Sequence, residues 1–102
     1  NSGKIMPEMT VEELQADSDD VEIKGTIKKL PTPRAVSTQY GQKRITTVVF
    51  EDNTGEIDLT LWEEEIDAIE EGVEVLIDGA YVREWADDLQ LNIGRDGNIE
   101  QA

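Results

Sequence analysis

Apolar and polar residues alternate along most of this chain, a pattern typical of strands that bury one face. The clearest run is Gly55–Trp62, in which the aliphatic residues Ile57, Leu59 and Leu61 are separated by polar ones. Because side chains alternate between the two faces of a strand, Trp62 points away from these aliphatic residues. The run therefore predicts a half-buried strand that carries a large aromatic side chain on its polar side.

Four other runs alternate in the same way and predict the remaining strands: Val21–Lys28, Lys43–Asp52, Val73–Trp85 and Leu89–Gly94. Gly25 indicates a bend or a close approach of two backbones in the first strand, and Gly79 indicates a bulge in the fourth. The residues of Asp52–Gly55 tolerate left-handed conformations and predict the turn between the second and third strands. Arg95–Gly97 is predicted to be a turn, followed by a polar tail at residues 98–102.

The period of the pattern changes between the third and fourth strands. Ile66 and Ile69 lie three residues apart, and Gly72 stands where a helix would end. These signals predict a short acidic helix over Glu63–Glu71 that closes one end of a barrel.

The N-terminal residues carry a different signal. Thr10 is followed three residues later by Glu13, which fits a capping box and predicts a short helix over about Thr10–Ala16. Residues 1–20 are therefore expected to form an N-terminal extension, partly disordered or containing this short helix. Residues 21–102 are expected to form the folded domain.

Three strands, a helix and two further strands are the element order of the OB-fold, a five-stranded Greek-key barrel. Closing the sheet into a barrel also removes the exposed edges that invite aggregation. We therefore predict an all-β OB-fold barrel. The structural alternative is a split two-layer α+β sandwich.

The charge of the chain is uneven. Its 102 residues include 24 acidic and nine basic side chains, a net charge of −15, which at first disfavours a polyanionic partner. The segment Lys24–Arg44, however, contains six basic residues and no acidic one, so it carries +6 while the rest carries −21. This block is either a solvated strand pair with a basic loop or an anion-binding strip.

Several function classes are disfavoured by what the sequence lacks. With no Cys and no His, it offers no disulfide, no thiolate metal site and none of the commonest general base. It has no phosphate-binding loop, dinucleotide fingerprint or metalloprotease motif, and its carboxylates lack metal-site spacing. We expect no catalysis, no cofactor and no metal. No apolar run could span a bilayer and no signal peptide is evident, so we expect a cytoplasmic, nucleoid-associated protein without membrane or small-molecule partners.

Two tryptophans are expected on the face opposite the core. Trp62 ends the third predicted strand, and Trp85 ends the fourth on the same face as Arg83. Flat aromatic rings there could stack successive bases of a single strand, which is worth about 1–3 kcal/mol per base and tolerates any sequence. The basic residues expected to flank the groove and pair with phosphates are Lys24, Lys28, Arg34, Lys43 and Arg44. Either Trp alone could be a lid over the core, but both together with the basic block favour binding.

Three other residues are candidates with open alternatives. Thr60, on the face of Trp62, and Asn92 would either hydrogen-bond a base or simply be exposed. Tyr40 lies in Arg34–Gln42, which is expected to be a mobile excursion or a hairpin arm after Pro33. Its ring would either cover a ligand or pack on its own loop.

A fairly specific motif is the Asp-x-Thr-Gly turn at residues 52–55, followed by a strand that ends in Trp62. The other segments that share a family pattern with it are Val21–Ile27, Val48–Ile57, Leu59–Trp62, Ile77–Trp85 and Leu89–Leu91. Over about Val21–Ile99 the chain resembles the single-stranded-DNA-binding OB domains of the replication protein A family, especially the archaeal members.

This resemblance implies single-stranded DNA binding in replication, repair or recombination, with Trp62 and Trp85 stacked on bases and Arg34 touching the strand. The chain lacks the zinc-finger module and additional OB domains of that family and is strongly acidic. We therefore expect it to act beside other OB domains or replication and repair proteins, where avidity strengthens weak sites. The alternatives are a protein-interaction module that uses its acidic surface, and single-stranded RNA binding.

Overall fold

Six strands, one short helix and one 3-10 turn account for most of residues 8–102, the part of the chain that the computed structural model describes. The elements in chain order are the 3-10 turn Val11–Glu13, β1 Val21–Lys29, β2 Arg34–Thr38, β3 Gly41–Asp52, β4 Gly55–Trp62, α1 Glu64–Asp67, β5 Glu74–Trp85 and β6 Asp88–Gln101. Within residues 8–102, no helix is both long enough and apolar enough to cross a bilayer.

The strands form one sheet in the order β1-β5-β6-β4-β3-β2, and β1 also pairs with β3. This second pairing closes five strands into a barrel and leaves β2 outside it, attached to β3. β4 and β6 run parallel, whereas the other neighbouring pairs are antiparallel. The predicted all-β OB-fold barrel is confirmed, and the closed sheet excludes the α+β sandwich.

The extra strand β2 decides between the two expectations for Arg34–Gln42. It pairs with the first half of β3 in a hairpin arm whose register runs from Arg34 opposite Ile45 to Thr38 opposite Gly41. The Thr38 hydroxyl stabilises the turn between β2 and β3 by donating to the Gly41 carbonyl at 2.8 Å. The segment is therefore an ordered arm that extends from the barrel.

The barrel interior is filled by the aliphatic residues of the alternating pattern together with Phe50. The side chains with no exposed surface include Ile23, Ile27, Phe50, Leu59, Leu61, Ile77 and Leu91. From α1 and the turn after it, Ile66 and Ile69 are buried as predicted. The helix is shorter than the predicted Glu63–Glu71 and ends at Asp67. Beyond it, the Gly72 N–H donates to the Ile27 carbonyl of β1 at 2.7 Å, so this segment bonds to the barrel instead of continuing the helix.

A single 3-10 turn, Val11–Glu13, stands where a short helix over about Thr10–Ala16 was predicted, and the disorder predicted for the first residues falls on 1–7, outside the described residues. The Thr10 N–H does donate to the Glu13 carboxylate at 2.8 Å, as in a capping box. The backbone then becomes extended at Leu14, whose side chain is buried against the barrel. Further along, the Ser18 carbonyl accepts from the Val82 N–H at 2.9 Å. Burial of Leu14 and pairing with β5 therefore favour extended backbone over a longer helix.

The predicted turn at Arg95–Gly97 and the polar tail are also wrong. β6 continues to Gln101, and Ile99 is buried in the core. Gly97 permits this continuation because a Cβ there would lie 2.7 Å from the Asp78 carbonyl oxygen. The opposing strand bulges at Gly79, as predicted, with a register shift between Asp78 and Ala80.

Gly25 marks the crowded corner where β1 pairs with both β3 and β5. A Cβ at this position would lie 2.5 Å from the Glu51 carbonyl oxygen and 2.7 Å from the Phe50 ring. Neither neighbour is the end of a flexible surface side chain, so the close backbone approach predicted from the sequence is confirmed.

We expect Gly25→Ala to lower the free energy of unfolding by about 1–3 kcal/mol, because the added methyl overpacks the corner. Chemical denaturation followed by Trp fluorescence would measure the change. The matched control is Gly55→Ala, where the nearest atom to a new Cβ is 3.5 Å away. Equal stability changes in the two variants would contradict the assigned role of Gly25.

The turn between β3 and β4 is organised by the Asp52 carboxylate. Its Oδ1 accepts from the Thr54 N–H at 2.8 Å, the Thr54 hydroxyl at 2.6 Å and the Gly55 N–H at 3.2 Å. Its Oδ2 accepts from the Val11 N–H at 2.8 Å, which ties the N-terminal turn to the hairpin. Burial alone would raise the pKa of Asp52, but these hydrogen bonds outweigh it and hold the pKa below its ordinary value.

We expect Asp52→Asn to destabilise the fold by about 1–3 kcal/mol at neutral pH, because an amide cannot accept all of these bonds. A lowered folded-state pKa stabilises the protein above the unfolded value of about 3.9, and this gain is lost as pH falls through the folded-state pKa. The stability difference between wild type and Asp52→Asn should therefore shrink on acidification. A difference that stays constant from neutral pH to pH 2 would contradict this assignment.

Candidate nucleic-acid interface

On β3, β4, β6 and β5, the residues that alternate with the core point outward and form one continuous surface, named here the outer face. The register aligns them in lines that cross the strands. The members of the outer face are Ile45, Thr47 and Val49 on β3, Asp58, Thr60 and Trp62 on β4, Gln90 and Asn92 on β6, and Tyr81, Arg83 and Trp85 on β5.

One end of the outer face joins the hairpin arm. Arg34 pairs with Ile45, which pairs with Trp62, so the three side chains lie on one line across β2, β3 and β4. Trp62 is 38% exposed, Ile45 is half-buried and Arg34 is exposed. Two strand spacings, about 10 Å, separate the Arg34 backbone from that of Trp62. This end therefore combines an indole ring with a cation within one nucleotide's reach.

Lys43 adds a second cation to the same end. It pairs with Val36 on the face of the arm that also carries Arg34. Neither Arg34 nor Lys43 forms an ion pair with any residue in the part of the chain that the structure describes. Both charges are therefore available to an anionic ligand.

The opposite end of the outer face lies at the β5–β6 hairpin. Trp85 is 72% exposed and precedes the turn residues Ala86 and Asp87, both of which have positive φ. On the same strand, the Arg83 guanidinium carbon lies 5.4 Å from the centre of the Tyr81 ring, a cation–π distance. This contact holds Arg83 on the outer face beside the second indole.

The register sets the separation of the two indoles. Thr60 and Tyr81 lie on one line through Asn92. Trp62 lies two residues from that line in one direction and Trp85 four residues in the other, about 20 Å in total along the strands. Neighbouring bases in a DNA strand are only about 3.4 Å apart. The two rings are therefore too far apart to stack successive bases.

Two of the five basic residues predicted to flank the groove are already paired with carboxylates. The Lys28 Nζ lies 2.7 Å from Glu56 and 3.7 Å from Glu51. The hydrogen bond that the Lys28 ammonium donates to Glu56, and the charge of Glu51, raise the pKa of Lys28. A phosphate that approached this ammonium would have to compete with both carboxylates.

Arg44 is turned away from the outer face toward α1. Its guanidinium donates to both carboxylate oxygens of Asp67, at 2.8 and 3.1 Å, and this hydrogen bonding lowers the pKa of Asp67. Its backbone N–H donates to the Glu63 carboxylate at 2.6 Å. Arg44 thus connects the hairpin arm to α1 and leaves Arg34 and Lys43 as the cations beside Trp62.

The other predicted site residues are dispersed. Lys24 is exposed on β1, in an open depression also lined by Glu51, Asp52 and Glu74. Tyr40 is 79% exposed at the tip of the hairpin arm. Thr60 lies at the centre of the outer face but is only 8% exposed, so the expectation of an exposed hydroxyl was wrong.

The structure also brings in a residue that sequence reasoning did not select, because Ile45 lies between Arg34 and Trp62. It places Asn92, a candidate from the sequence, between Thr60 and Tyr81. Apolar residues on both faces of β3 were a signal for Ile45, since an outward aliphatic residue offers a surface for a base. No local signal showed that Asn92 lies beside Thr60, because this position depends on the parallel pairing of β4 with β6. Among the described residues, no group of acidic side chains has an arrangement that could hold a metal.

A closed five-stranded barrel with exposed aromatic residues on this face defines the class of OB-fold oligonucleotide-binding domains. Residues 7–101 match the family described as single-stranded DNA binding protein Ssb-like, OB fold. The chain therefore belongs to this family, and the predicted resemblance to single-stranded-DNA-binding OB domains is confirmed. Membership of a family of DNA-binding proteins also agrees with the prediction that the chain is not an enzyme.

One similar protein is the single-stranded DNA binding protein Ssb of Saccharolobus solfataricus, 28% identical over 95 residues that cover 93% of this chain. The match spans 64% of that relative's length.

Similar solved structures include the replication factor A related protein of Methanobacterium thermoautotrophicum (TM-score 0.79, 20% identity, 98% of this chain and 94% of that one). The second OB-fold domain of replication protein A from Methanococcus maripaludis is also similar (TM-score 0.76, 21% identity, 93% and 94%). DNA binding domain A of replication protein A from S. cerevisiae has a TM-score of 0.72, 21% identity and 94% coverage of both chains. At these identities, the three structures show the fold that they share with this chain.

Proposed function

We propose that this chain binds single-stranded DNA without catalysis and with little sequence preference, by stacking bases on Trp62 and Trp85. The observation that carries this proposal is the line of Arg34, Ile45 and Trp62. A base stacked on Trp62 extends over Ile45, and its phosphate comes within reach of the Arg34 guanidinium. Family membership supports single-stranded DNA as the ligand.

Trp85 holds a different part of the bound strand. Because about 20 Å separates the two rings along the strands, several nucleotides connect the bases that they stack. Asn92 and Tyr81 lie between the rings and contact the intervening bases, while Arg83 stays beside Trp85. A strand held in this way extends along the outer face from the hairpin arm to the β5–β6 turn.

Few phosphates are neutralised in this arrangement. Arg34 and Lys43 are the cations closest to Trp62, whereas Lys28 and Arg44 are held by carboxylates. Stacking therefore contributes more of the affinity than charge does. A single domain of this kind gains from linkage to other OB domains through avidity, and a role beside replication or repair proteins at the nucleoid would supply such neighbours.

We expect Trp62→Ala and Trp85→Ala each to weaken oligo-dT binding by about 1–3 kcal/mol, because each removes one stacking surface. Quenching of the remaining Trp fluorescence and fluorescence anisotropy of labelled dT would measure the affinity. Trp62→Phe and Trp85→Phe are the matched controls, since they keep a flat ring, and they should lose less. Unchanged thermal unfolding would show that neither indole is a lid over the core.

The outcome of the wild-type titration separates the alternatives. No change in anisotropy or fluorescence at tens of micromolar protein would exclude single-stranded DNA binding and favour a protein partner for the acidic surface. Oligo-rU that binds more tightly than oligo-dT would favour RNA as the ligand.

We expect Arg34→Ala to reduce the log–log dependence of affinity on salt by about 0.7, the value for one phosphate contact on a single strand. Arg44→Ala is the control with the same loss of charge, and its slope should stay close to that of wild type because its guanidinium already binds Asp67. The slopes come from dT titrations at several salt concentrations. Equal reductions in the two variants would show a general charge effect and contradict a specific Arg34 contact.

A further inference from the structure

The charge of the outer face changes along the path between the two indoles. At the Trp62 end stand Arg34 and Lys43, while Glu65 and Glu63 accept hydrogen bonds from the backbone N–H groups of Trp62 and Arg44. At the Trp85 end the one cation of the outer face is Arg83, which lies over the Tyr81 ring. On the Trp85 side of the line through Thr60, β3, β4 and β6 carry four outward carboxylates. These carboxylates are Glu51, Glu56, Asp58 and Asp88.

Asp58 is the carboxylate that lies directly between the indoles. It pairs with Val49 on β3 and Gln90 on β6, two residues beyond Thr60, and it is exposed. Its carboxylate forms no ion pair with any residue between 8 and 102. Glu51 and Glu56 differ from it, because both contact the Lys28 ammonium. Arg83 lies on the same line across the sheet but on the other side of Gln90. Asp58 therefore stands in the middle of the outer face without a direct cationic partner among residues 8–102.

From this placement we propose that Asp58 is a specificity-determining residue that disfavours a phosphate at the centre of the outer face. It keeps the sugar–phosphate backbone away from the Asp58 carboxylate while the strand passes from Trp62 to Trp85. The strand then crosses the Asp58 position with its bases toward the protein and its phosphates away from it. This inference rests on the proposed single-stranded DNA binding and adds a determinant of backbone path and affinity at the same site.

The size of the effect follows from the repulsion between two like charges. A phosphate that passes over Asp58 at about 7 Å is repelled enough to weaken binding about three- to tenfold in a largely aqueous environment. At an ionic strength of 0.1 M the screening length is about 10 Å, so the repulsion acts at this distance and fades as salt rises. Short oligonucleotides held only at the Trp62 end avoid it.

The test compares Asp58→Asn with Glu100→Gln, an equal change in net charge near the end of β6, where Glu100 pairs with Leu76. Affinities for a short and a long oligo-dT would be measured by anisotropy at about 0.05 M and 0.5 M salt. These concentrations lie below and above 0.1 M, where the screening length is about 10 Å. Asp58→Asn should bind the long oligo-dT about three- to tenfold more tightly at low salt. The gain should be smaller at high salt and for the short oligo-dT, whereas Glu100→Gln should change little.

Equal gains in the two variants would overturn the proposal, because they would show only the effect of net charge. A gain for Asp58→Asn that is the same for short and long oligo-dT would also overturn it. Wild-type protein that binds no oligo-dT would instead remove the proposed function itself. Since Asp58 is exposed, thermal unfolding of the variant should match wild type and confirm that the fold is intact.

Discussion

The pairing register of β3 with β4 is the constraint on which the binding surface depends. A slip of one residue would turn every side chain of β4 to the opposite face, placing Leu61 in water and Trp62 in the core. The Asp52 carboxylate prevents such a slip by accepting three hydrogen bonds from Thr54 and Gly55 within the turn. The direction in which Trp62 points is thus fixed by the Asp52 carboxylate at the turn between β3 and β4, the far end of the hairpin.

The same carboxylate couples the N-terminal segment to the barrel. Val11 donates to Asp52, and the Glu12 N–H donates to the Thr54 hydroxyl at 3.0 Å. These bonds place Leu14 in the core and the Ser18 carbonyl beside β5. Val11 and Glu12 therefore stabilise the hairpin that carries half of the outer face, although neither of them belongs to that face.

Local patterns predicted the strands, the turn at Asp52 and the outward direction of both indoles, since each depends on neighbours in sequence. The continuation of β6 through Gly97 was not predictable in this way. A glycine permits either a turn or a close approach, and only the position of Asp78 on the opposing strand decides between them. The same limit applies to the distance between Trp62 and Trp85, which depends on the parallel pairing of β4 with β6.

The basic block shows why clustering along a sequence does not give clustering of available charge. Alternation places Arg44 on the side opposite Arg34, and there it meets the Asp67 carboxylate, 23 residues further along the chain. A bulge in β1 brings Lys28 to Glu56 across the barrel seam. Among residues 8–102, two of the eight basic side chains, Lys28 and Arg44, form ion pairs with carboxylates. Arg34 and Lys43 form none within the same residues and lie beside an exposed indole. This placement explains how an acidic protein can present a small surface suited to a polyanion.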